Sequence, residues 1–191
     1  NFMGNKLNFS KKNIILIFLL INAYLIFVYF KNFNLNIDDY YLIGKNLVNL
    51  KSFSREIILS NEVILEPVLD RVPFYPFINS LSYLIFNNEK SMVYVNYIFF
   101  LILNLIFFIL IRKIINVKIA LLIVSINLVS FVNLKNIVSV NPAVLCNFLL
   151  VCLCYNVHKY FDYFKIKNLF LILLFCTALL LTRHDMIFFI F

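Results

Sequence analysis

The chain has 191 residues, 63% hydrophobic and 14% charged, with only two glycines and a mean hydropathy of +0.94. Soluble domains carry roughly 45–50% apolar and 25% charged residues, so the composition excludes a water-soluble globular protein and implies one embedded in a membrane. The formal charge of +8 does not point to nucleic acid, because the basic residues sit at the ends of apolar runs and form no single patch.

A bilayer core of about 30 Å takes around 20 apolar residues per helix. The apolar runs here are continuous and do not alternate, which predicts helices and not barrel strands. The expected fold class is all-α: a polytopic transmembrane helix bundle with an extracytoplasmic first loop that carries amphipathic surface helices. The opening "NFMGNK" and the ending "MIFFIF" read as the N-terminal part of a longer protein, with residues 1–191 belonging to a single transmembrane domain.

Span one covers residues 13–30, "NIILIFLLINAYLIFVYF". It is too long, and followed by too many further runs, to be a cleaved signal peptide. Lys6, Lys11 and Lys12 precede it, which places the N-terminus in the cytoplasm. Residues 31–90 then form an outer loop holding seven of the nine acids: Asp38, Asp39, Glu56, Glu62, Glu66, Asp70 and Glu89. Within it Ile37, Tyr40, Tyr41, Gly44, Leu47 and Val48 recur at steps of three and four, which predicts an amphipathic helix over 37–50. Asn36 is its expected N-cap. Asp38 and Asp39 fall in the first turn, where free N–H groups and the helix dipole favour a carboxylate. Pro67, Pro73 and Pro76 punctuate the rest, and the apolar stretch after Pro76 reads as a second surface helix or re-entrant segment too short to span.

Four more spans follow at about 91–111, 117–134, 140–157 and 168–182. The segments assigned to the cytoplasm carry Lys6, Lys11, Lys12, Arg112, Lys113, Lys118, Lys159, Lys165 and Lys167, whereas the short outer turns carry only Lys135 and Arg183. This asymmetry fixes the expected orientation in a plasma membrane. It also puts the acid-rich loop and the "TRHD" stretch, Thr182 to Asp185, on one extracytoplasmic face. Cys146, Cys152, Cys154 and Cys176 lie inside apolar runs without a companion His or acid at ligand spacing, and read as small buried hydrophobes.

The residues with chemical potential are Asp38, Asp39, Arg71 and Arg183. Each alone suits a helix cap or a solvated membrane boundary. Together they combine a carboxylate, able to take a proton from an acceptor hydroxyl or amine, with guanidinium forks that match phosphate oxygens. Those are the needs of sugar transfer from a lipid phosphate. Tyr41 and Tyr75 are the expected substrate-pocket residues, although they and Tyr40 and Tyr83 suit interfacial anchoring equally. Glu56, Glu62, Glu66 and Asp70 read as a solvated face, with Asp70 placed to orient Arg71. Asp185 is a natural partner for Arg183, and His184 an interfacial residue. No metal ligands and no cofactor are implied, and a divalent metal is left open.

The order of a cytoplasmic N-terminus, one span, a loop opening with "DDYYLIGKNLV", then "RVPFYPF", a span ending in basic residues and a later "LLLTRHD" resembles the GT-C glycosyltransferases. The branch in question contains the protein O-mannosyltransferases and the lipid A aminoarabinose transferase. The resemblance implies inverting transfer of a sugar from a polyprenyl-phosphate donor to a lipid, glycan or protein acceptor, with a loop-one aspartate as general base. The base falls on Asp38 or Asp39, and the phosphate-binding arginine of the "R-x-P-x-Y-P" pattern on Arg71, with Pro73, Tyr75 and Pro76 matching the rest. Two features depart from the pattern: a second Asp where members have Glu, and Asn141–Pro142 where many have an acid. The fragment alone is expected to be inactive. Two other classes stay open, a transporter or lipid flippase gated by the outer loop, and a non-catalytic membrane scaffold.

Overall fold

The computed structural model describes residues 39–59, 62–68, 71–88, 90–183 and 185, all within the compact unit Leu35–Phe191. Span one and its flanking lysines, Asn36, Asp38, Asp70 and His184 lie outside the described residues. The described chain is mostly helical. Its elements are α1 (Asp39–Asn49), β1 (Ser54–Leu59), β2 (Glu62–Pro67), α2 (Phe74–Phe86), α3 (Ser91–Ile114), α4 (Val117–Val129), α5 (Phe131–Val138), α6 (Ala143–Tyr163) and α7 (Ile166–Leu180).

The expected surface helix appears as α1, and the segment around Pro76 as α2. Pro73 stands at the N-cap of α2. Pro76 is accommodated in the first turn, where its missing N–H would have had no helical partner. Asn87 closes α2 in the left-handed conformation (φ 44°), its N–H bonded to the Tyr83 carbonyl, as helix ends commonly do. The faces of α1 and α2 meet at Gly44. A methyl group there would lie 2.9 Å from Asn79 Cβ and 3.3 Å from the Pro76 carbonyl oxygen, so the absence of a side chain is what lets the two backbones approach.

Between these helices the all-α expectation is corrected. Residues 54–67 form an antiparallel hairpin in which Ser54 opposes Pro67 and Leu59 opposes Glu62. The runs "SREIIL" and "EVILEP" are rich in the β-branched residues Ile57, Ile58, Val63 and Ile64, which favour extended backbone. The hairpin is tied back to α1 by Asn46 Nδ2, which donates to the Ser54 carbonyl at 3.1 Å.

Two helices are long and apolar enough to cross a membrane, α3 with 24 residues and α6 with 21, about 36 and 32 Å at 1.5 Å per residue. The expected span 117–134 is broken in the middle: it is two helices, α4 and α5, bent by 52° at Ser130, whose backbone is extended. Counted together, α4 and α5 make a third candidate crossing. Helix α7, expected as a span over 168–182, has 15 residues, or about 22 Å, short of a bilayer core. Helix α6 packs along α3 and α7, and α4 along α3.

The distribution of polarity around these helices is that of a membrane-associated chain. Leu122 and Ile126 on α4 and Phe170 and Leu173 on α7 are 60–65% exposed, while Asn96, Asn104 and Asn156 are buried. The inward asparagines are bonded, Asn104 to the Phe100 carbonyl at 2.8 Å and Asn156 to the Cys152 carbonyl at 2.8 Å. Cys146 and Cys152 are buried as expected, whereas Cys154 is exposed; it takes an outward position on α6.

Candidate functional site

Asp39 opens α1 with its carboxylate half-exposed. Arg55 Nη1 from β1 stands 3.7 Å from Asp39 Oδ2 and Arg71 Nη2, from the segment entering α2, 3.8 Å from the same oxygen. These are ion pairs longer than hydrogen bonds, and with side chains 31–42% exposed each contributes at most about 1 kcal/mol to stability. Their interest is positional: three segments far apart in sequence deliver two guanidinium groups to one carboxylate.

Each charge has its own support. Arg55 uses both Nε (2.9 Å) and Nη2 (2.8 Å) on Glu66 Oε2, its cross-strand neighbour in the hairpin register. Arg71 lies over the Tyr40 ring with its guanidinium carbon 5.1 Å from the centroid, a cation–π arrangement. Tyr40 meets Tyr75 edge to face at 5.5 Å. Tyr75 is fully buried; its hydroxyl donates to Asn96 Oδ1 at 3.0 Å and accepts from Asn96 Nδ2 at 2.8 Å. Asn96 Nδ2 also lies 3.3 Å from the Ile137 carbonyl oxygen. The pair of acid and arginine therefore rests on a column of contacts running from α1 through α2 and α3 to α5.

The structure brings Asp39 and Arg71 together, and Tyr41 and Tyr75 are both buried. Tyr75 holds up the ring under Arg71 and presents no open face. Arg183 follows α7 and is occupied by Asp185, to which Nε (3.0 Å) and Nη2 (2.6 Å) both donate. The two arginines leave one junction: the Phe74 N–H donates to the Leu181 carbonyl at 3.1 Å, tying the start of α2 to the end of α7. The acid-rich loop and the "TRHD" stretch thus share one end of the helices. At the other end Lys113 pairs with Asp162, with His158 3.9 Å from the same carboxylate. Lys159 covers the Tyr155 ring at 4.5 Å.

Arg55, Glu66 and Tyr40 are the site residues that sequence pattern did not single out. Two β-branched runs on either side of "SN" carry the hairpin signal, and the hairpin is what faces Arg55 toward Asp39. Glu66, expected in a solvated face, is an ion-pair partner. Among the described residues no group of three or more His, Cys, Asp or Glu is placed to hold a metal ion. The residues gathered are two guanidinium groups and two carboxylates, with Arg55 held by Glu66 and Arg71 stacked on Tyr40, so that guanidinium forks and the Asp39 carboxylate stand side by side. No protein family model, no curated protein and no solved structure matches the chain.

Proposed function

We propose that the chain is the membrane part of a glycosyltransferase that moves a sugar from a polyprenyl-phosphate donor to an acceptor on the extracytoplasmic face of the plasma membrane. The single observation that carries the reading is the convergence of Asp39 with Arg71 and Arg55 at the loop end of apolar helices. A lipid-borne phosphate held in the membrane boundary meets these guanidinium groups, which offer the planar donor fork that phosphate oxygens accept. As the sugar–phosphate bond breaks, charge builds on the phosphate, and donors already in position stabilise it without reorganising. Asp39 takes the proton from the incoming hydroxyl or amine, which attacks the anomeric carbon from the face opposite the departing phosphate and inverts it.

In this reading the helices cross the membrane several times, with the N-terminus and the Lys113–Asp162 end in the cytoplasm. The test is transfer of a radiolabelled sugar from a polyprenyl phosphate by the protein in native membranes. Asp39→Asn is expected to lower turnover by about 10²–10⁴-fold, and Arg71→Ala to raise the donor concentration needed for half-maximal rate. Unchanged transfer by Asp39→Asn sinks the reading.

A second reading, a gate for a polar solute or lipid, is favoured by one feature, the break at Ser130 within an apolar segment, since broken helices line transport sites in membranes. Tracer flux across vesicles without any transferred product would select it.

A further inference from the structure

Below the column that supports Arg71, a cavity of about 150 Å³ opens between α3, the bent α4–α5 pair and α6. Phe100, Leu103, Phe107, Val144, Leu150 and Val151 line it together with the amide-bearing Asn127, Asn133, Asn136 and Asn147. Four asparagines around one hollow in an otherwise apolar helix layer are costly unless bonded. Two of them are bonded: Asn127 Nδ2 donates to Asn104 Oδ1 at 2.8 Å, and Asn133 Nδ2 donates to Asn127 Oδ1 at 2.7 Å and to the Asn127 carbonyl at 3.1 Å. Asn136 and Asn147 also line the hollow, Asn136 half-buried and Asn147 exposed.

The lining decides the ligand's chemistry. No ionisable side chain borders the hollow, so a phosphate or ammonium group would find no counter-charge there. Amides offer donors and acceptors in equal supply, which matches hydroxyl groups, themselves both donor and acceptor. The Phe100 and Phe107 side offers an apolar surface for C–H groups. Pockets for small molecules combine such walls with a few placed polar groups. The volume is many times the 10–15 Å³ or so that one water needs.

We infer that this cavity binds an uncharged, hydroxyl-bearing ring, a monosaccharide unit, with its hydroxyl edge on Asn136 and Asn147 and its C–H face on Phe100 and Phe107. The inference stands on residues other than Asp39, Arg55 and Arg71, and therefore does not depend on the transfer reading. A free saccharide and the head of a glycolipid present the same chemistry.

The experiment uses the full chain in lipid nanodiscs and three diazirine photoprobes: an alkyl glucoside, the free glucose analogue and an alkyl phosphate of the same chain length. The glucoside is expected to label peptides within residues 127–151, with competition by unlabelled alkyl glucoside. Labelling should fall at least fivefold in the Asn136→Leu/Asn147→Leu double variant. It should also fall in Leu150→Phe, which narrows the hollow and removes no amide, and stay unchanged in Arg71→Ala. Equal labelling by free glucose identifies a soluble saccharide, and labelling by the alkyl glucoside alone a lipid-borne one. Labelling undiminished in both cavity variants, equal labelling by the alkyl phosphate, or no labelling by either sugar probe in the well-folded wild type overturns the inference. If sugar transfer fails its own test while cavity labelling persists, only the transfer reading is lost.

Discussion

At Gly44 a single methyl group would press on Asn79 Cβ at 2.9 Å, closer than carbon atoms pack. Gly44→Ala is expected to destabilise the α1–α2 pair by about 1–3 kcal/mol, the usual cost of overpacking. A lower thermal midpoint in detergent and faster proteolysis of the loop would show it. Because Gly44 sits one turn beyond Tyr40, the same change should loosen the ring under Arg71 and weaken binding of a polyprenyl phosphate. Arg55→Ala makes the complementary case. Its ion pairs are part-exposed, so stability should change by no more than about 1 kcal/mol, while donor affinity falls about tenfold if two guanidinium groups share the phosphate. A stability loss without an affinity loss would assign Arg55 to the hairpin alone. Of these residues, Asp39 and Arg71 stood out in the sequence because each sits in a short motif, and Gly44 only as one position of the helical periodicity. Arg55 did not, because its relation to Asp39 exists only through hairpin register.

Among the elements, the break between α4 and α5 shows how a local amide replaces helical hydrogen bonding. The extended backbone at Ser130 ends the α4 ladder, and Asn133 Nδ2 takes up the Asn127 carbonyl at 3.1 Å. Helix ends need such outside partners for their last carbonyls. Asn133→Leu should therefore cost about 1–3 kcal/mol, read as a lower midpoint for loss of helical circular dichroism in nanodiscs. Tyr75→Phe removes the hydroxyl between Asn96 and α2, and an expected loss of about 1 kcal/mol should come without loss of the apolar packing around the ring. The helices themselves were legible from apolar run length and, around α2, from the punctuation at Pro73 and Pro76. The bend was not, because "VSINLVSFVNLKNIV" stays largely apolar through Ser130 and contains neither proline nor glycine. The hairpin was obscured in another way. Its strands are short apolar runs flanked by charges, which a search for membrane helices passes over.

On the scale of the molecule, the two ends differ in charge pattern. Arg112, Lys113, Lys118, Lys159, Lys165 and Lys167 gather around the α3–α4 and α6–α7 turns with Asp162 among them, whereas Asp39, Glu66 and Asp185 lie at the opposite end paired with Arg55, Arg71 and Arg183. If the first group faces the cytoplasm, a membrane-impermeant maleimide added to intact cells should label Lys51→Cys and leave Lys165→Cys unlabelled until the membrane is permeabilised. Both substitutions would be made in a background lacking the four native cysteines. The reverse pattern would invert the orientation and place the Asp39 site on the cytoplasmic side. This sorting could be read from the sequence because it depends on the order of charges along the chain and not on their contacts. The Asn-lined cavity could not, since its amides come from α4, α5 and α6 and meet only after those helices pack.

The bond from the Phe74 N–H to the Leu181 carbonyl joins two points roughly one hundred residues apart. A ribosome delivers the arginine-bearing segment long before the strand of chain that will anchor it, so the anchor arrives last. The nascent protein should pass through a stage in which Arg71 has been made but its neighbouring turn still lacks a clasp. The turn that carries Arg71 would then be fixed only once α7 is in place.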